Sequence, residues 1–344
     1  MDERQRQRST ADHHRQRRAP ALDLARGLAI LLLIAFHSFD VPGFRWGNPP
    51  PEWASDLMLT LTPFRMPLLF VIAGVLAVSH NRKKPVELLG SVARKIYWPY
   101  LVWTAILLNT AGFSYFLTHY ATDFTAWIAP GYLWFIFYLG IFILVSRLLS
   151  GIPSWSIAVV LLVGLIAFES FEYRAVFVYG ICFFAGAAIS QCVLSAETIM
   201  QRSGARAIVL ASGAVLLLST LIASSLTLGG FAFRPWGIAL TFSTNAAILI
   251  SLSIYYRYSS AASAAVEYLG RNSLVFYLSH WPIMVAVMTL ATTLNVEPHY
   301  HAALLFGISL AAGCIIATLR RHPPVAWFFT FPWRNPRMRD LRKN

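Results

Sequence analysis

Leu22-Asp-Leu-Ala-Arg26-Gly-Leu-Ala-Ile-Leu-Leu-Leu-Ile-Ala-Phe-His37 places an arginine and a histidine inside one strongly apolar run. An ionisable side chain in a membrane segment is costly, so two of them in one helix point to function before structure. Eleven steps of about 100° come to about 1100°, some 20° beyond three full turns, so both side chains leave the helix in the same direction. At about 1.5 Å per residue they stand roughly 16 Å apart along the axis. The result is one polar seam that faces protein or water rather than lipid.

Composition extends that reading to the whole chain. The 344 residues are 57% hydrophobic and 12% charged, against about 25% charged in a soluble domain. The expected fold is therefore all-α: a polytopic membrane protein, a bundle of about ten transmembrane helices. Apolar runs long enough to cross a bilayer fall near 22–41, 57–79, 97–117, 131–149, 156–171, 174–194, 206–229, 236–256, 272–293 and 301–320. The fifth is short and ends in Glu169. Positive charge sorts by connection. Arg4, Arg6, Arg8, Arg15, Arg17 and Arg18 precede the first run; Arg82, Lys83, Lys84, Arg94 and Lys95 lie between the second and third. Arg147, Arg202, Arg206, Arg257 and Arg271 follow the fourth, sixth and eighth, while the alternate loops hold Arg45, Arg174 and Arg234 among several carboxylates. The positive-inside rule then puts both termini in the cytoplasm. Three regions follow: a disordered basic cytoplasmic tail over 1–20, a transmembrane domain over 21–320, and a second basic cytoplasmic tail over 321–344.

The net charge of +13 is spread over every cytoplasmic loop and tail, which is what topology alone requires, so no nucleic-acid partner is expected. Anionic membrane lipid is the natural neighbour of the N-terminal arginines. The first apolar run is long and lacks a small-residue cleavage site, unlike a signal peptide. Cys182, Cys192 and Cys314 have no metal-ligand spacing and no disulfide framework, so packing residues are expected, with no metal and no bound cofactor. No fixed-period repeat is visible, and no soluble catalytic domain is appended. Any chemistry belongs inside the bundle.

Several constellations carry it. Asp23 precedes Arg26 by three residues, within pairing range on a helix; it either anchors the helix end or belongs to the site. Asp40 stands three residues beyond His37 and either holds the second ring nitrogen or faces the outer water. His37 itself is compatible with a structural histidine, a proton relay or a general base, while the spacing of other ligand types disfavours metal. In Thr62-Pro-Phe-Arg-Met-Pro67 two prolines four residues apart free backbone groups, tolerated in a membrane only where protein or a water-filled cavity receives them. Arg65 between them either lines that cavity or snorkels to the interface. Arg94 and Lys95, before Ile-Tyr-Trp-Pro-Tyr100, either clamp a phosphate or simply mark a cytoplasmic loop. Pro130-Gly-Tyr-Leu-Trp134 opens one helix, where Trp134 suits an interfacial belt. Leu269-Gly-Arg-Asn272-Ser273-Leu-Val-Phe-Tyr-Leu-Ser-His280-Trp-Pro282 opens another, and His280 faces the bundle interior.

Together these segments resemble the integral-membrane acyltransferase family 3, the O-acetyltransferases of surface glycans, and within it the fucose-4-O-acetylase-like branch. The resemblance runs from about residue 20 to 320. A basic residue, ten others and a histidine in the first helix are matched by Arg26 and His37, and Leu22 to Ile30 resembles the surrounding pattern. Met66-Pro67 with Phe70 to Gly74, Tyr132 to Ile136, and Leu269 to His280 are similar to three further family stretches in the same order. Some positions depart from the pattern: Arg65 and Tyr132 stand where histidine is usual, Ala73 where serine is common, and only Arg94-Lys95 occupies the place of an Arg-x-x-Arg motif.

The resemblance implies an acyltransferase, transferring groups other than aminoacyl groups, in the bacterial inner membrane. Its co-substrate would be cytoplasmic acyl-CoA, usually acetyl-CoA. Its acceptor would be a sugar hydroxyl of a cell-surface polysaccharide or lipid-linked glycan precursor. In family terms His37 would be the catalytic histidine and Arg26 would help bind or orient the donor, with Arg94 and Lys95 at the donor's phosphates. Asp23, Arg65, Trp134, Asn272, Ser273 and His280 would shape the cavity or meet the acceptor. A transporter or flippase using the same seam, or a non-catalytic partner in polysaccharide assembly, are the competing functions.

Overall fold

A backbone in hydrocarbon must satisfy its own polar groups, which helices do within one segment; among the described residues helix is the only regular structure. The structure, a computed structural model, describes residues 20–78, 84–111, 123–168, 174–199, 203–255 and 261–332. The terminal arginine clusters, and Arg82 and Lys83, lie outside the described residues.

The elements in order are α1 (Pro20–Trp46), α2 (Glu52–Thr60), a 3₁₀ turn (Thr62–Phe64), α3 (Met66–Ala77), α4 (Pro85–Val92), a π turn (Ala93–Tyr97) and α5 (Trp98–Leu108). After a 3₁₀ turn at Gly131–Leu133 come α6 (Trp134–Leu148), α7 (Ser154–Ala167), α8 (Arg174–Ala188), α9 (Ser190–Ile199) and α10 (Ser203–Thr227). The chain ends with α11 (Pro235–Tyr255), α12 (Ala261–Arg271), α13 (Ser273–Thr293), α14 (His301–Leu319) and α15 (Pro323–Ala326). Among the described residues six stretches are helical, long and apolar enough to cross a membrane: Pro20–Phe44, Gly131–Leu148, Ala207–Thr227, Pro235–Ser253, Ser273–Thr293 and Pro298–Leu319. The α2–α3 pair, bent by 48°, makes a seventh if it counts as one span. Helices α7 and α8, at 14 and 15 residues, are apolar but shorter. In the run read as 97–117, α5 ends at Leu108, and residues 112–122 lie outside the described ones.

Helix α1 packs against α3, α11, α12, α13 and α14, which puts its polar seam at the centre of the bundle. Close approach there depends on glycine. A Cβ added to Gly270 of α12 would lie 1.7 Å from the Asp23 carbonyl oxygen, and one on Gly27 would lie 1.9 Å from that of Val266. Backbone thus touches backbone at the end of α1 that carries Arg26, the small-residue packing usual between membrane helices.

The prolines at the α2–α3 break behave as backbone accounting requires. Pro67 offers no N–H to the Pro63 carbonyl, and the buried Asn245 of α11 donates to it from Nδ2 at 3.0 Å. Ser224 of α10 donates to the Thr60 carbonyl at 2.6 Å. Protein side chains receive these groups.

Residues 323–331 turn back onto α5. Trp98 Nε1 donates to the Trp327 carbonyl at 2.7 Å and Trp103 Nε1 to that of Phe328 at 3.0 Å, while Phe329 is buried beside Trp103. In the π turn Trp98 N–H bonds Ala93, so the next carbonyl, Arg94, falls to Pro99, which has no N–H. Phe331 N–H fills that vacancy at 3.1 Å.

Candidate active site

Two cavities lie along α1. The outer one, about 620 Å³, is lined by His37 with Asp40, Arg65, Tyr132, Trp134, Tyr179 and Trp281 among others. The inner one, about 270 Å³, is lined by Arg26, Lys95 and Ser273 amid apolar side chains from α1, α3, α6 and α13. Among the described residues Tyr277 alone lines both. Arg26 and His37 therefore do open on cavities, but Tyr277 divides what the helical spacing presents as a single seam.

The septum is held by a reciprocal lock. Pro282 supplies no N–H to the Leu278 carbonyl one turn back, and Tyr132 OH donates to it at 2.7 Å. Tyr277 OH in turn donates to the Tyr132 carbonyl. Tyr132 also stacks on Trp281, with ring centroids 5.7 Å apart.

His37 sits at this junction. Its ring centroid is 5.1 Å from that of His280 and 5.1 Å from that of Trp281. Nδ1 lies 3.8 Å from Asp40 Oδ2, inside ion-pair range but too long for a hydrogen bond. The His37 side chain is 14% exposed and that of Asp40 45%, so Asp40 faces both the imidazole and the open side. His280 is buried, and its Nδ1 donates to the Tyr277 carbonyl at 2.7 Å. That bond fixes the tautomer and leaves Nε2 with a lone pair. His280 Nε2 and His37 Nδ1 are both buried without a hydrogen-bond partner.

The remaining candidates are dispersed. Arg26 Nη1 pairs with Asp23 Oδ1 at 3.0 Å; Asp23 is buried behind it and lines neither cavity. Arg94 and Lys95 are both exposed on the π turn, and Lys95 lines the inner cavity while Arg94 does not. Asn272 caps the start of α13, its Nδ2 donating to the Tyr268 carbonyl at 2.9 Å, outside both linings. Trp134 is packed inside, stacked on Tyr179 at 4.7 Å and lining the outer cavity. Arg65 is 8% exposed and also lines the outer cavity. No group of three or more potential metal ligands occurs among the described residues.

A family model described as an acyltransferase domain, that of acyltransferase family 3, matches residues 20–318. The chain belongs to acyltransferase family 3. It is an enzyme that transfers acyl groups. No curated protein and no solved structure matches the chain. The matched span of this acyltransferase takes in both cavities, the whole of α1 and the paired histidines, and stops short of α15.

Two residues that line the outer cavity, Tyr277 and Tyr132, were not among the candidate site residues. Tyr277 entered only as the tyrosine of the Leu269–His280 stretch, because nothing local marks a side chain that walls two cavities. Tyr132 registered only as a departure from histidine. Its purpose was written at Pro282, since a proline inside a membrane helix requires a donor for the carbonyl four residues earlier.

Proposed function

We propose that this acyltransferase moves an acyl group, specifically acetyl, from cytoplasmic acyl-CoA to a sugar hydroxyl of a cell-surface polysaccharide or its lipid-linked precursor, in the bacterial inner membrane. Ten crossings with both termini cytoplasmic belong to the same proposal. The observation that carries it is the His37 imidazole in the wall of a cavity large enough for a ligand.

The acceptor hydroxyl gives its proton to His37 Nε2, the ring nitrogen not turned toward Asp40, as its oxygen attacks the thioester carbonyl. Collapse of the tetrahedral intermediate breaks the carbon–sulfur bond, and the leaving thiolate takes the proton back from the imidazolium. An imidazole suits this because it accepts and returns a proton near neutrality. His280 positions His37, and Asp40 steadies the imidazolium. Arg26, Arg94 and Lys95 face the donor's phosphates at the basic mouth, and Ser273 and Asn272 shape the adjoining end of α13. Roughly 16 Å of helix between Arg26 and His37 matches an extended thioester arm, which must pass Tyr277.

Purified protein incubated with radiolabelled acetyl-CoA and candidate glycans tests this. His37→Ala lowers transfer about 10²- to 10⁴-fold while the protein stays folded and inserted. Transfer at the parental rate by that variant overturns the assignment.

A further inference from the structure

Among the described residues buried charge is matched, with one exception. Arg26 has Asp23 at 3.0 Å, and the carboxylate of Glu267, buried on α12, has Arg271 at 3.5 Å. Arg65, 8% exposed, belongs to none of the ion pairs among the described residues. Its guanidinium spends one donor on Thr62 Oγ1 at 3.0 Å and lies with Cζ 3.8 Å over the Phe36 ring centroid. A guanidinium carries five N–H donors in a fixed fork, so most of its hydrogen-bonding capacity is unspent. The carboxylate in the same cavity, Asp40, sits at ion-pair distance from His37 and acts on Arg65 only from beyond that distance.

A buried charge with no partner at ion-pair distance is strongly disfavoured unless something compensates it. A transient oxyanion on the reacting carbonyl compensates it only for the moment of reaction, whereas a fixed anion on a bound ligand does so throughout binding. The planar fork suits a carboxylate or phosphate, which it grips with two parallel bonds. The volume of about 620 Å³ accommodates a sugar-sized ligand. The broad faces of Trp134, Tyr132 and Trp281 supply the apolar walls.

We infer that the outer cavity selects an acceptor sugar carrying a fixed anionic oxygen group, a carboxylate or a phosphate, bound by the fork of Arg65 beside His37. This rests on the acyl-transfer reading above, because it makes the outer cavity the acceptor's. The group stays unreacted: Arg65 holds it while His37 works on a neighbouring hydroxyl.

Binding and transfer are measured separately on the full chain in detergent. Calorimetric titration with glucose, glucuronate and glucose 6-phosphate reads binding without catalysis, and the two charged sugars separate a carboxylate from a phosphate subsite. One or both charged sugars bind about ten- to a hundredfold tighter than glucose, the margin of a charge-assisted hydrogen bond. Arg65→Gln brings that margin to near one, and Arg65→Lys, with a point charge but no fork, retains part of it. Charged sugars that bind no tighter than glucose, or do not bind at all, overturn the inference on the parental protein alone. So does a margin that survives Arg65→Gln. Radiolabelled acetyl transfer to the same sugars tests the acyl-transfer reading independently: anion-selective binding with no transfer to any acceptor removes that reading and leaves an anion site at Arg65. An Arg65→Gln defect confined to kcat, equal on charged and neutral acceptors, assigns Arg65 to the reacting oxyanion and overturns the inference.

Discussion

Replacing Tyr132 by phenylalanine isolates one hydrogen bond on which the septum depends. The ring and its contacts with Trp281, His280 and Tyr277 remain, and only the donor to the Leu278 carbonyl at 2.7 Å is lost. Leaving a buried carbonyl unmet costs about 1–3 kcal/mol, while hydrogen bonds between membrane helices average about 0.6 and reach about 1.7 because the separated helices find other partners. Leu278 has no such recourse, since Pro282 denies it the intrahelical N–H in the separated helix too. The cost of Tyr132→Phe is therefore near the upper figure, about 1.5 kcal/mol. Pro282→Ala restores the N–H, and in that background Tyr132→Phe costs about 0.5 kcal/mol or less. Equilibrium unfolding by SDS in mixed micelles, run on the parental protein, both single variants and the double variant, gives the coupling energy. About 1 kcal/mol of coupling is expected, whereas independent sites add to within about 0.3–0.5. Additivity within that margin refutes the claim that Tyr132 serves the carbonyl freed by Pro282.

Three further outcomes follow from the same packing. Gly270→Ala drives a methyl to 1.7 Å from the Asp23 carbonyl and, with backbone on both sides, costs at least about 1–3 kcal/mol; an unchanged thermal midpoint in detergent contradicts the contact. Phe329→Ala removes a side chain 1% exposed and costs about 3–5 kcal/mol by core precedent, seen in the same unfolding assay; a neutral result detaches the C-terminal turn from α5. His280→Phe replaces the imidazole by a larger, nitrogen-free ring, lowering kcat for acetyl transfer about tenfold or more with KM little changed; an unaltered kcat reduces His280 to packing.

What the sequence made legible is what has a short period. Hydropathy runs of membrane length located the long helices, because a bilayer imposes one length on all of them. The spacing of Arg26 and His37 put both on cavities, because helical geometry fixes relative direction over three turns. Asp23 at i−3 of Arg26 made its ion pair for the same reason. Contacts between distant segments carry no such period. The approach of His280 to His37 depends on how α13 lies against α1, and the stretch 97–117 begins on the last residue of a π turn that its apolar composition does not announce. The line from Arg26 to His37 was legible; its interruption by Tyr277 required the third dimension.

Proline supplies a common logic for how the cavities are held open. A helix that breaks inside a membrane bundle releases backbone carbonyls, and neighbours or a cavity must receive them. Pro67 frees the Pro63 carbonyl, and Asn245 takes it beside the turn that presents Arg65. Pro99 leaves the Arg94 carbonyl for Phe331, at the turn that presents Lys95 to the inner cavity. Pro282 leaves the Leu278 carbonyl for Tyr132, between the two chambers. Each donor comes from a different segment than the carbonyl it serves, so each bond both satisfies a break and ties a cavity wall to its neighbour.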